Sequence, residues 1–260
     1  MRLGPMIRAA YATTGSVCTA LDRAVMPRCC VFCGVECEPF EDGFCHGCAD
    51  DLPWNENACP GCAEPQQTPL VAGLHCAGCQ AEPPLWAMAV APLRYAFPVD
   101  AAIKLLKFRR RLEYLPVFGA LLAGTLPRLP ADIDTLLPVP LHWRRQALRG
   151  FNQADELCRE LQKRCDLPIS RSARRRRSTP SQSGLHARAR ARNLRGAFGI
   201  SGNVVSRHVV VVDDVITTGA TCRELTSELL RAGVSRVSVL ALSLIHISEP
   251  TRRATISRMP

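Results

Sequence analysis

Lysine is scarce in this 260-residue chain. Only Lys104, Lys107 and Lys163 stand among 33 basic side chains, so the net charge of +10 is almost wholly arginine. Charge of that sign favours phosphates or nucleic acid without choosing between them. Long apolar runs are missing from residues 1–28, where Thr13, Thr14, Gly15 and Ser16 interrupt the pattern. Neither an export signal nor a membrane span is therefore expected, and a short helix over residues 16–25 is expected instead. Three signatures are also lacking: GxxxxGKS or GxxxxGKT, HExxH and GxSxG. A P-loop ATPase, a zinc hydrolase and a serine hydrolase thus have no local support.

Cysteine, by contrast, is plentiful, with 14 residues. In a chain without an export signal, C-x2-C pairs are better explained by metal thiolates than by disulfides, and a cytoplasmic protein follows. Cys30-x2-Cys33 is followed after eleven residues by Cys45-x2-Cys48, and Cys59-x2-Cys62 after thirteen by Cys76-x2-Cys79. Two such pairs complete the closed tetrahedral thiolate set of structural zinc, leaving no position for a catalytic water. Two zinc ions are expected, with one as the alternative. Spacing also allows the interleaved pairing, first pair with third and second with fourth, and Cys29 could replace Cys30, with Cys37 a bystander. Zinc can supply on the order of 10 kcal/mol of folding free energy. That suits residues 29–84, which are crowded with cysteine, glycine and proline.

After Pro83 and Pro84 the texture changes to long aliphatic patterns, so residues 1–28 form a lead, 29–84 a ribbon module and 85–243 an α/β domain. Apolar spacing over residues 100–124 predicts two consecutive helices broken near Pro116. Residues 133–139 predict a strand, and Ala154, Leu157, Cys158, Leu161 and Cys165 one face of the next helix. Strands over 208–212 and 236–242, with a helix over 218–232 between them, complete a mostly parallel sheet flanked by helices. Cys158, Cys165 and Cys222 are assigned to the core. Residues 171–195 carry nine arginines and no acid, which predicts a mobile loop. The stretch 244–260 does not suit the fold. The segment from Ser243 to Arg252, SLIHISEPTR, resembles the translated read-through of a sequencing-library adapter, so a non-native tail is expected there.

Asp213 and Asp214 follow a run of four valines, at the carboxyl end of a strand, where ligands of open α/β sheets bind. Thr217, Thr218, Gly219, Ala220 and Thr221 come next, opening a helix whose free N–H groups and dipole attract phosphate. This stretch resembles the ribose-phosphate signature of type I phosphoribosyltransferases. The resemblance implies that Asp213 and Asp214 hold the ribose hydroxyls of phosphoribosyl pyrophosphate (PRPP) and that residues 217–221 bind its 5′-phosphate.

Three further motifs narrow the match: Leu137-Pro-Val-Pro-Leu-His-Trp-Arg144-Arg145, then Arg149-Gly-Phe-Asn152-Gln153, then Thr179-Pro-Ser-Gln182-Ser-Gly-Leu185 with Arg192-Asn193. Together they resemble the ComF family, competence-type proteins with a double zinc ribbon before a type I phosphoribosyltransferase domain. The resemblance covers roughly residues 28–242. It places Arg144, Arg145 and Arg149 on the pyrophosphate side, where arginine and Mg²⁺ neutralise the leaving group. Asn152 and Gln153 belong either there or to the cap of the next helix. The function it implies is an Mg²⁺-dependent, PRPP-binding protein acting in DNA uptake or processing during natural transformation. Two alternatives stand beside it: a non-catalytic competence adaptor that holds single-stranded DNA through its ribbons and arginine segment, alongside other competence proteins, and a nucleotide-salvage enzyme. Phe198 is the one aromatic near that segment, so the sequence shows no platform for stacking bases.

Overall fold

The computed structural model describes residues 29–36, 43–177, 194–202 and 206–245. The expected helix over 16–25, Cys37, Gln182, Leu185, most of the arginine segment and residues 246–260 lie outside them. In chain order the elements are α1 (His46–Asp51), α2 (Ala77–Ala81), β1 (Met88–Val90), β2 (Leu93–Arg94), α3 (Val99–Arg109), α4 (Tyr114–Ala123) and β3 (Thr135–Pro138). Then come α5 (Trp143–Arg149), α6 (Gln153–Gln162), β4 (Ala173–Arg175), β5 (Phe198–Ile200), β6 (His208–Ile216), α7 (Ala220–Arg231) and β7 (Arg236–Leu244).

Val209, Val210, Val211 and Val212 are β-branched and buried, which favours a strand covered on both faces. β6 duly lies inside the sheet, whose order is β1-β7-β6-β3, with β2 further along the β1 edge of β7. Every pairing in it is parallel, and Asp213 stands opposite Ala241. Alternate residues feed two cores. Val210, Val212, Leu240 and Leu242 meet Leu106 of α3, Phe118 of α4 and Leu157 of α6 on one face. Val209, Val211, Val239 and Ala241 meet Cys222, Leu225 and Leu229 of α7 on the other. The α/β class with a mostly parallel sheet is thus observed.

Several expected boundaries move. The break between α3 and α4 falls at Arg110, which is left-handed at φ 54°, and not at Pro116. Pro116 sits in the first turn of α4, where a missing N–H costs no helical bond. β1 and β2, three and two residues long, carry too little pattern to register in the sequence. The arginine segment contributes β4, antiparallel to β5. It is ordered there because Ala173 and Phe198 are buried and the Arg175 guanidinium lies 5.5 Å from the Phe198 ring. β7 runs on through Leu244, which is buried, and the Ile245 N–H bonds Ile216 O at 2.8 Å. Leu244 of the expected foreign stretch therefore belongs to the sheet, with Ile245 bonded beside its end, since an apolar residue extends a strand whatever its origin. Among the described residues no helix is long and apolar enough to cross a membrane.

Candidate functional site

Side chains alternate along β6, which separates its two acids. Asp214 turns toward α3, where Lys107 Nζ meets its Oδ2 at 2.7 Å. Asp213 accepts the Asp214 N–H at 2.9 Å. Burial, reinforced by the Asp214 charge, pushes the Asp213 carboxyl up to about 7 against the opposing pull of Lys107 and Arg175. Burial and the Asp213 charge likewise push the Cys222 thiol up. Arg175 is lowered by burial and by Arg145, with Asp213 opposing, and Arg145 by burial and by Arg149. Cations from α3 and β4 thus act on the strand end, and Arg145 of α5 acts on Arg175.

Immediately beyond, Gly219 is left-handed at φ 68° and caps α7, a backbone state that favours glycine. Thr217 is exposed, and Thr218, Gly219, Ala220 and Thr221 are partly so, so the turn is open to solvent beside the acids. The expected arginine trio divides. Arg145 couples to Arg175, whereas Arg144 lies 5.3 Å over the exposed Trp143 ring. Arg149 donates to Gln153 Oε1 at 3.1 Å. Asn152 is a helix cap, its Oδ1 accepting from Ala154 N at 3.2 Å while its Nδ2 donates to Val139 O at 3.0 Å. Lys107 and Arg175 were not singled out in the sequence. Lys107 reaches Asp214 across more than a hundred residues, and Arg175 is one arginine within a run. Asp213 and Asp214, neighbours in the chain on opposite faces of β6, each offer carboxylate oxygens of the kind a hard divalent cation such as Mg²⁺ takes.

The cysteines form two tetrads, Cys30, Cys33, Cys45, Cys48 and Cys59, Cys62, Cys76, Cys79, each with its sulfurs within 4.8 Å of one another. The interleaved pairing is thereby excluded, as is Cys29 in place of Cys30. Backbone amides aim at the sulfurs: Cys48 N at Cys45 Sγ, 3.4 Å, and Cys76 N at Cys59 Sγ, 3.3 Å. Within the first tetrad burial opposes ionisation of Cys30, yet backbone N–H groups hold its thiol at about 6. Burial and neighbouring sulfurs push Cys48 up. The same split separates Cys59 from Cys62 in the second. Four crowded sulfurs ionise together only around a cation, so both tetrads suit zinc with no further ligand.

A third feature was not legible in the sequence. The end of α3 and the exposed side of α5 meet where Arg110 Nε donates to Arg149 O at 2.9 Å and the Arg149 guanidinium lies 5.6 Å over Phe108. Phe108 is 70% exposed, Trp143 65% and Leu148 85%, amid exposed Arg109, Arg110 and Arg144.

A parallel sheet ending in an acid pair and a glycine-capped turn defines a phosphoribosyltransferase-type domain, and residues 147–259 match the phosphoribosyl transferase domain family. Similarity extends over most of the chain. The DNA utilization protein YhgH of Escherichia coli (strain K12) is 36% identical over 227 residues, covering 84% of this chain and 97% of that protein. Its counterpart in Salmonella typhimurium is 35% identical over 226 residues, with 84% and 97% covered. Competence protein F of Haemophilus influenzae is 32% identical over 227 residues, with 82% and 96% covered. The chain belongs to the ComF family.

Proposed function

We propose that the end of β6 binds PRPP together with Mg²⁺ and that the protein uses this pocket in the uptake or processing of DNA. The observation that carries the reading is the adjacency of the two carboxylates to the open, glycine-capped turn. Asp213 and Asp214 would take the ribose hydroxyls and the cation, and the amides of residues 217–221 the 5′-phosphate. Mg²⁺, when bound, supplies charge neutralisation at the pyrophosphate oxygens. Arg145 and Arg175 would add to it, and Lys107 pairs with Asp214. In turnover, an acceptor nucleophile would bond to the anomeric carbon as the carbon–oxygen bond to pyrophosphate breaks, the acceptor's proton leaving with solvent.

The surface formed by α3 and α5 supports the DNA part of the reading. Arginines that bind phosphate stand beside aromatic rings on which unpaired bases stack, and this surface adjoins Lys107 and hence the acid pair. In the described part of the expected binding segment at 171–195, Arg175 is directed inward, whereas Arg171, Arg174, Arg176 and Arg177 are exposed. The two parts are tested separately. Calorimetry with PRPP and Mg²⁺ should give heat with wild type and none with Asp213→Asn plus Asp214→Asn; silence in wild type would leave a DNA-binding adaptor. Oligonucleotide binding by Phe108→Ala plus Trp143→Ala should weaken about tenfold or more, at about 1–3 kcal/mol per stacked base. Unchanged binding would remove that surface from the account.

A further inference from the structure

Behind the glycine-capped turn lies a cleft of about 330 Å³ with walls from two regions: Cys62, Cys79 and Glu82 on one side, Thr217, Thr218 and Gly219 on the other. Trp86, 8% exposed, joins them. Its Nε1–H donates at 2.5 Å to Gly61 O, the carbonyl of the knuckle between Cys59 and Cys62. A Cβ on Gly61 would stand 3.0 Å from Cys79 Sγ, so the accepting peptide lies against a metal ligand. On its other side the indole abuts Gly219, where an added Cβ would stand 3.3 Å from Trp86 Cη2. A second, weaker strut runs alongside. Arg223, in the first turn of α7, lies 6.0 Å over the Trp86 ring and pairs with Glu82 at 3.4 Å, directly after the helix that carries Cys79. Exposed pairs of this kind contribute little, which leaves Trp86 as the principal link.

We propose that the second tetrad and the glycine-capped turn form one coupled unit, with Trp86 as the positioning residue that makes the turn's anion-binding shape depend on metal at Cys59, Cys62, Cys76 and Cys79. The inference rests on the phosphate role proposed for that turn. Four sulfurs bound to one ion fix the knuckle; the fixed Gly61 carbonyl holds the indole; the indole closes the space into which Gly219 would otherwise relax. The first tetrad lacks this route, since it packs on α4 through Phe32 and Tyr114, ring centroids 6.0 Å apart. Coupling is reciprocal, so an anion in the turn must also tighten the metal.

The test uses the full zinc-loaded chain. Trp86→Phe keeps a ring and loses the N–H. It should retain both zinc ions while hydrogen exchange across residues 217–221 accelerates about fivefold or more. Cys33→Ser, which opens the first tetrad, should leave that exchange unchanged. In the Cys33→Ser background, release of the remaining zinc to a zinc-selective chromogenic chelator should slow about fivefold or more with PRPP and Mg²⁺, and quicken in Gly219→Ala. Unchanged exchange in Trp86→Phe overturns the coupling, as does equal acceleration in Cys33→Ser. Should Trp86→Phe not fold, an unaltered release rate in Gly219→Ala overturns it instead. If PRPP gives neither heat nor slowing while Trp86→Phe still accelerates exchange, the sugar-phosphate reading falls and the coupling stands.

Discussion

The two cysteine tetrads share C-x2-C pairs and a four-sulfur donor set, with eleven residues between the pairs in one and thirteen in the other, yet they sit in the molecule differently. In the first, the residue after the knuckle is Gly34, left-handed at φ 76°, with nothing within 4 Å of where a Cβ would stand. In the second, the equivalent residue is Ala63, also left-handed at φ 62°, and its methyl is buried in the core under α7. The first rests Val31, Phe32 and Phe44 against the core on the opposite face. The second is stitched to the sheet: Ala89 N to Pro60 O at 2.9 Å, and Asn55 Nδ2 to Ala63 O at 2.8 Å and Ala91 O at 3.1 Å. A near repeat in sequence has therefore become one peripheral brace and one integral part of the domain. The same donor set is present at both, and among the described residues the second is the one that touches the glycine-capped turn through Trp86.

The largest test of this contrast is removal of each metal in turn. Cys79→Ser should cost several kcal/mol, given binding on the order of 10 kcal/mol for structural zinc, lower the zinc content and loosen residues 217–221. Cys33→Ser should lower the zinc content equally and spare those residues, which elemental analysis with hydrogen exchange will read. Ala63→Val should follow at about 2–4 kcal/mol, because a β-branched side chain is strained at positive φ and overfills the core. Chemical denaturation measures it, and a loss no larger than that of Gly34→Ala would erase the distinction.

A smaller effect is set by pH. The folded carboxyl of Asp213 titrates at about 7, above its ordinary value. Its contribution is full below the unfolded value near 4 and is lost as pH rises through 7. Asp213→Asn should therefore stabilise by about 1 kcal/mol or more at pH 8, with the gain shrinking as pH falls toward 4 in denaturant titrations at each pH. PRPP affinity in wild type should move oppositely, strengthening as Asp213 ionises. Gly34→Ala should be the smallest change, about 1 kcal/mol, since only backbone strain opposes it.

What the sequence made legible was local. Four valines, two aspartates and TTGAT sit within thirteen residues, and the pairs of cysteines announce themselves by spacing. β3, β6, β7 and α7 follow from periodicity because each is long or uniformly apolar. What stayed hidden depends on chain crossings. Lys107 and Arg175 reach the acids from other elements, Phe108 of α3 meets Arg149 of α5 only after folding, and Trp86 gains its place from contacts on both sides. The helix break was misplaced because proline is the visible breaker, whereas Arg110 takes the left-handed state with no sequence mark.

Strand order also bears on how the chain is made. β1 and β2 find their sheet partner in β7, which is translated after every other described strand. Until residues 236–244 leave the ribosome, the edge carrying Ala89 and Leu93 has no ladder to join, although all eight paired thiols have long since emerged. The cysteine pairs thus emerge early and the sheet is completed late, and a message truncated just before β7 would leave an open groove where that strand belongs.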